Sequence, residues 1–378
     1  MIREKIPLVK VGLPPKQELM PKLEQVLYSG VIAEGEAVYE FERLFWDQFG
    51  SGNVGAGISL SSGTAALHCA LTLSGISAGD EVITTSMTAE PTNLSILHCG
   101  AIPVFADVDV NNGNICPESV RRLISPSTKA IIVVHYAGIP VDMDSILSVA
   151  GDAGIPVIED CAHALGARYD NKPVGTLGDF GIFSFQAIKH MTTIDGGFLF
   201  VKDPSVLDEA RRFRWFGMEK GVDRSLVDIS NVGYKYNMQN VSATVGIEQL
   251  KVISERILRH RENGEYFDLA LSDLLGIRPA SFDKEKVMPS YWLYTIVCDD
   301  AKTVERVLNE NGVSASPLHK PNHLHSIFSK CKSEGRNLDS FYKKKLHIPC
   351  GWWLSEDDRE LIVDILKGLE NISDCQTI

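Results

Sequence analysis

The chain has 378 residues, 44% of them hydrophobic and 23% charged, a balance that excludes a disordered chain. A formal net charge of −12 repels phosphate backbones and sets nucleic acid aside as a partner, leaving room for a local basic pocket that takes one small anion. The densest apolar runs, such as Ala130 to Val134, are too short to cross a bilayer, and the N-terminal Met1 to Pro7 lacks an apolar signal core.

Eight cysteines are scattered with no C-x-x-C pair, the pattern of reduced thiols in a cytoplasmic protein. The length accommodates one large domain of about 250 residues and a smaller one. We place them at 1–250, including the N-terminal segment, and at 251–378. No repeat, low-complexity tract or flexible linker interrupts the chain.

Residues 39–48 read as a helix that ends in Gly50-Ser51-Gly52-Asn53-Val54-Gly55. This loop matches G-x-G-x-x-G, but a dinucleotide fingerprint must follow a strand and open a helix, so an NAD site is rejected. From residue 54 to 202, strands are expected at 58–60, 81–84, 102–106, 130–135, 156–159, 181–185 and 198–202. Helical patterns separate several of them, at 64–73, 118–123 and 143–150. Continuous apolar strands alternating with helices predict an α/β three-layer sandwich around a mainly parallel sheet. Ligands in such sheets gather at the carboxyl ends of the strands. Beyond residue 240, one long amphipathic helix is expected over 241–260, leading into a smaller α+β C-terminal domain. A strand at 291–297 and a closing helix at 356–369 belong to that domain.

Three constellations carry chemistry. Ser61-Ser62-Gly63-Thr64-Ala65-Ala66-Leu67 follows a strand and opens a helix, so the Gly63 and Thr64 amides sit at the positive end of a helix dipole. That fits a phosphate cradle, and equally an ordinary Ser-capped turn. Asp160 ends a buried strand, the position of a loop-capping acid or of an active-site acid. Ala162 is small enough to let a flat ring approach the strand end, and His163 is placed to bond a cofactor oxygen or to serve as a structural histidine. Lys189 stands between the strand containing Ser184 and a Thr/Gly-rich turn. A lysine there is either solvated or set to form a Schiff base with a carbonyl cofactor. The conjunction of amine, strand-end acid and phosphate cradle suggests pyridoxal 5′-phosphate (PLP). His319, His323 and His325 are broken by Pro321-Asn322 and lack zinc spacing, so no metal is expected; they read as a loop lining a substrate pocket.

Taken together the motifs resemble the DegT/DnrJ/EryC1/StrS family of sugar aminotransferases, fold-type I PLP enzymes. The resemblance runs through Ser62-Gly63-Thr64-Ala65-Ala66-Leu67, Gly100-Ala101-Ile102-Pro103-Val104-Phe105, Glu159-Asp160-Cys161-Ala162-His163, Phe183-Ser184-Phe185 with Lys189, and Gly233-Tyr234-Lys235-Tyr236-Asn237-Met238. It implies that Lys189 holds PLP, that Asp160 pairs with the pyridinium nitrogen, and that His163 lies near the ring hydroxyl. It also implies that Gly63, Thr64 and Ser184 take the phosphate, and that glutamate is the donor. A homodimer with shared active sites is implied too.

Two departures stand out. Lys235 replaces an asparagine that the family sends to the neighbouring subunit's cofactor phosphate, and Asn237 replaces an arginine. Ala89 stands where an aromatic over the cofactor ring is common, so stacking is expected either to come from elsewhere or to be weaker. Thr192-Thr193 after the lysine resembles members that aminate C4 of a nucleotide-linked 4-keto-6-deoxy sugar, which implies a role in cell-surface polysaccharide (such as O-antigen) or amino-sugar biosynthesis. His319 is the residue assigned to the substrate. A sugar dehydratase of the same fold uses histidine in place of the lysine, and His190 is adjacent, so that reading stays open, as does a catalytically silent regulatory homologue.

Overall fold

The computed structural model describes residues 4–50 and 55–373, so most of the glycine-rich loop at 50–55 lies outside the described residues. The central sheet has seven strands. These are β1 (Ala56–Leu60), β2 (Glu81–Thr85), β3 (Ile102–Ala106), β4 (Thr128–Val134) and β5 (Val157–Asp160), then β8 (Phe180–Ser184) and β9 (Gly197–Val201). The short pairs β6 (Arg168–Tyr169) and β7 (Lys172–Pro173) lie between β5 and β8. The sheet order is β1-β9-β8-β5-β4-β2-β3. Only β9 runs antiparallel to its neighbours; the other pairings are parallel. The carboxyl ends of β1, β2, β4, β5 and β8 therefore share one edge.

Alternation along the strands builds two cores. Ile131 and Val133 face a layer formed by α2 (Glu36–Phe49), α5 (Pro117–Leu123), α6 (Met143–Ala153), α8 (Asn240–Leu250) and the start of α9 (Ile253–Ala270). Ala130 and Ile132 face α3 (Gly63–Leu73), α4 (Glu90–His98) and α7 (Leu207–Phe213). On the first face Phe45 packs against Phe185 and Phe198, with ring centroids 5.1 and 4.6 Å away. These are the three layers expected: helix, mainly parallel sheet, helix. The remaining N-terminal helix, α1 (Lys16–Leu27), packs outside on α8.

A third core forms around an antiparallel sheet of β10 (Ile277–Pro279), β12 (Tyr294–Cys298) and β13 (Lys345–Ile348), covered by α10 (Ala301–Glu310) and α12 (Glu356–Ser373). Ile6 bridges to Val313 and joins this core, and α9 runs from the first core into the third. β11 (Val287–Met288) pairs with β6, and α11 (Arg336–Lys344) precedes β13.

Two element expectations are corrected. The helix expected over 241–260 is two helices, α8 and α9, separated at Lys251 and Val252, where the Val252 N–H bonds back to Gln249. The apolar stripe continues across the break, since Leu250, Ile253 and Ile257 share one core, and periodicity cannot see it. The strand expected to start at Tyr291 starts at Tyr294, because Tyr291 has a positive φ of 47° and its carbonyl meets the His260 ring at 2.8 Å.

Candidate active site

A cleft of about 370 Å³ opens at the shared strand edge. It is lined by Gly63 and Thr64 from α3, Ala89 before α4, Asp160, Ala162 and His163 after β5, Ser184 and Lys189 after β8, and His319 from the loop before β13. Sequence-distant candidates thus meet in one place. Lys235 does not reach this cleft in its own chain: its Nζ lies 2.5 Å from Asn237 Oδ1 and 4.2 Å from the centroid of the Trp215 ring.

The α3 end is prepared for an anion. Ser62 caps the helix by accepting the Ala65 N–H at 3.0 Å, and the first helical residues, Gly63 and Thr64, carry N–H groups without an intrahelical acceptor. Gly63 is packed so close to Ser184 that a Cβ would come within 2.9 Å of the Ser184 Cβ and 3.2 Å of its Oγ. Only glycine lets the helix start and the serine hydroxyl approach the same space.

Asp160 is buried and bonded on both oxygens. The Ala162 N–H donates to Oδ1 at 3.0 Å, and the Thr92 hydroxyl donates to Oδ2 at 2.8 Å. Thr92 is in turn 3.0 Å from the Thr88 hydroxyl, which completes a short chain into the carboxylate. Burial raises the Asp160 carboxyl above its usual range, opposed by these two donors and by the Lys189 charge. The neighbouring Glu159 points elsewhere. It accepts the N–H groups of Gly175, Leu177 and Gly178 at 2.7–2.9 Å and faces His135 Nε2 at 3.0 Å. His135 Nδ1 accepts the Val141 N–H, so the ring proton sits on Nε2 toward Glu159. His135, Glu159 and Cys161 gather closely enough to suggest metal ligands. Four protein donors already occupy the carboxylate, however, and the group braces the end of β5.

Lys189 keeps some exposure through the cleft mouth, yet the surrounding protein strips enough water to lower its amine to about 8, against the pull of Asp160. Its Nζ sits 4.2 Å from the centroid of the Trp292 ring and has no hydrogen-bond or ion-pair partner among the described residues. Trp292 also donates its indole N–H to the Ile188 carbonyl at 2.9 Å. His163 stacks on Trp292 with centroids 4.0 Å apart and planes at 15°, and its buried Nδ1 is unpaired. Burial first, and the Lys189 charge second, hold His163 well below the ordinary histidine range and lower His319 to about 4. Both rings are therefore neutral near pH 7. His190 is absent from the cleft lining: it is buried, with Nε2 3.0 Å from the Ser290 carbonyl. His323 pairs with Ser86 at 2.8 Å and His325 faces Glu90 at 3.4 Å, so the three loop histidines serve different partners.

Thr92 and Trp292 are absent from the sequence-based candidates. Thr92 lies in a helix whose polar buried residues blur its periodicity, and Trp292 lies in an aromatic run that reads as strand core.

The residues suit PLP by their own chemistry: an unpaired desolvated amine, a buried carboxylate with both oxygens fixed, an orphaned imidazole nitrogen, and a helix start that closes on a serine hydroxyl. A mainly parallel sheet with this edge defines a fold-type I transferase. Residues 15–367 match the DegT/DnrJ/EryC1/StrS aminotransferase family, and the chain belongs to it. It is 32% identical over 377 residues to the spore coat polysaccharide biosynthesis protein SpsC of Bacillus subtilis, covering 94% of this chain and 96% of SpsC. The crystal structure of the sugar aminotransferase CalS13 from Micromonospora echinospora superposes with a TM-score of 0.91 at 34% identity, covering 96% and 99% of the two chains. Spr1654 from Streptococcus pneumoniae, solved in PLP and PMP forms, matches with TM-scores of 0.88 and 0.89 at 25% identity, covering 97% of this chain and 98–99% of that one. The family's members are PLP-dependent sugar aminotransferases, and this chain is a transaminase of that kind.

Proposed function

We propose that this cleft binds PLP and moves an amino group from glutamate to C4 of a nucleotide-linked 4-keto-6-deoxy sugar, in the cytoplasm, toward a cell-surface polysaccharide. The observation that carries the reading is the convergence of Lys189 and Asp160 on one cleft with the α3 start and Ser184. The C4 preference rests on the resemblance of the Thr192-Thr193 turn.

PLP supplies an electron sink that makes a donor Cα–H acidic. The chain's own residues do the rest. Asp160, locked by Thr92 and Ala162, presents a fixed anion that keeps a proton on a ring nitrogen placed against it. His163, kept neutral, offers its unpaired Nδ1 to the ring hydroxyl. Gly63, Thr64 and Ser184 hold the phosphate, and Ala89 and Ala162 leave room for the ring, with His163 and Trp292 as the aromatic partners nearby. Lys189 would hold the cofactor's aldehyde through its Nζ, and the same atom, when free, would move the proton from the donor Cα. An amine near 8 releases and takes a proton at cellular pH with little driving force either way. His319 faces the acceptor sugar from the opposite loop.

We place Lys235 of a second copy at the phosphate of this cleft, completing a homodimer. Exposed apolar side chains support this assembly: Tyr28 at 87%, Leu226 at 78% and Val232 at 74%.

The test is a pair of half-reactions. Purified protein with PLP and glutamate should yield 2-oxoglutarate and an amine-loaded cofactor; a panel of nucleotide keto sugars should then discharge it to amino sugars seen by mass spectrometry. Water loss from the sugar without amine transfer would favour the dehydratase, and no spectral change with any donor the silent homologue. Lys189 in the cleft, with His190 turned to Ser290, speaks for the transaminase.

A further inference from the structure

One backbone carbonyl next to the cleft gathers three donors. The Leu318 oxygen lies 2.6 Å from the Tyr136 hydroxyl, 2.7 Å from His347 Nε2 and 2.6 Å from Lys345 Nζ. Lys345 also donates to the Pro317 carbonyl at 2.8 Å. The Leu318 carbonyl can only accept, which puts the His347 proton on Nε2, 2.8 Å from the Tyr136 oxygen as well, and leaves Nδ1 to accept from the Thr295 hydroxyl at 3.1 Å. The three donors come from different parts of the fold: Tyr136 follows β4 of the central sheet, while Lys345 and His347 lie on β13.

Lys345 is fully buried and has no ion pair among the described residues. A buried ammonium held by two carbonyls and the face of the Tyr342 ring, 5.3 Å from its centroid, with no counter-charge bonded to it, is an expensive arrangement, so its persistence calls for a task. The residue after Leu318 is His319, a lining residue of the cleft, and its Nε2 is buried and unpaired. The following turn is clamped as well. Asn322 donates to the Thr88 carbonyl at 2.9 Å and accepts from Asn93 at 2.8 Å, so the loop is pinned on both sides of the histidine.

We propose that Lys345, with Tyr136 and His347, is a positioning device that fixes the Pro317 and Leu318 carbonyls and so presents the unpaired His319 Nε2 to a hydroxyl or keto oxygen of the acceptor sugar. This rests on the reading of the cleft as a keto-sugar aminotransferase site. The device acts on the acceptor half of the reaction, because its donors grip the loop opposite Lys189 and make no hydrogen bond to a cofactor-binding candidate among the described residues; Tyr136 meets His163 only edge-on, with ring centroids 6.4 Å apart. Burial lowers the Lys345 amine to about 7, and its charge is one of the influences keeping His319 neutral.

The test separates the two half-reactions in Lys345→Met. The expected result is a KM for the keto sugar raised about tenfold, as for loss of a charged hydrogen bond, with the glutamate half-reaction within about twofold of wild type. In the cofactor-free protein, histidine-ring NMR should show the His319 resonances displaced, and Lys345→Arg should restore part of the effect. Should Lys345→Met fail to fold, Tyr136→Phe removes one donor and keeps the ring; it should raise the same KM to a smaller extent. Unchanged acceptor KM and unmoved His319 resonances would overturn the inference. A wild-type protein that takes amine from glutamate yet aminates no sugar would instead overturn the keto-sugar reading, and the NMR comparison would still decide the positioning claim.

Discussion

The hydroxyl of Thr92 donates to Oδ2 of Asp160 across 2.8 Å inside the protein, linking two residues 68 positions apart in the chain. The carboxylate needs that donor because both residues are buried and the other oxygen is already bound to the Ala162 N–H. Replacing Thr92 by valine keeps the shape and removes the donor, so burial raises the Asp160 carboxyl further. Hydrogen bonds to charged groups contribute about 1.5–3 kcal/mol, so PLP affinity should fall by at least about tenfold while the fold persists. Equilibrium dialysis of cofactor against Thr92→Val measures it. Wild-type affinity in that variant would remove Asp160's anchoring from the account.

The lowered Lys189 amine predicts a pH dependence for cofactor capture. The neutral amine is the nucleophile, and burial brings its ordinary range down to about 8. Capture of PLP by the cofactor-free protein should therefore speed up roughly tenfold per pH unit below that point and level off above it. Stopped-flow absorbance gives the profile. A rate still climbing beyond about pH 9.5 would mean an ordinary solvated lysine.

Gly63→Ala tests the phosphate cradle. Its new Cβ would lie 2.9 Å from the Ser184 Cβ, tighter than real contacts allow, so the helix start or the serine must move. The site then loses the joint approach of the α3 amides and the hydroxyl. We expect PLP binding weakened by about 1–3 kcal/mol, the scale of overpacking, and pyridoxal without its phosphate affected much less. Equal weakening of both ligands would locate the damage away from the phosphate.

The sheet was legible because its strands are continuous apolar runs that need no partner information to be recognised, and Asp160 stood out as a carboxylate closing such a run. Lys189 could be read from its place after the strand of Ser184. Thr92 could not. α4 begins with Glu90 and Pro91 and buries Thr92, Asn93 and Ser95, so polar residues occupy the inward face and the helical signature fades. Trp292 was hidden for another reason: its indole meets Ile188, 104 residues away, and nothing local marks an aromatic within Ser290-Tyr291-Trp292-Leu293-Tyr294 as part of a site rather than a core. Chemistry carried on one short segment is visible in a sequence; chemistry assembled by tertiary contact is not.

Lys189→Ala removes the one cleft amine without a partner, and its consequences differ from those of a damaged fold. Lys189 contributes a cation above Trp292 and no side-chain hydrogen bond among the described residues, so stability should change little or rise slightly as a desolvated charge disappears. Turnover should fall by at least about 10²–10⁴-fold from lost proton transfer alone. Borohydride treatment followed by digestion should fix the cofactor on the peptide containing Lys189 in the wild type and nowhere in the variant. Asp160 and the α3 start remain intact, so PLP should still bind reversibly, with its phosphate in the same cradle. A variant that retains wild-type-like rates, or a wild-type adduct mapped to another lysine, would transfer the catalytic role away from Lys189.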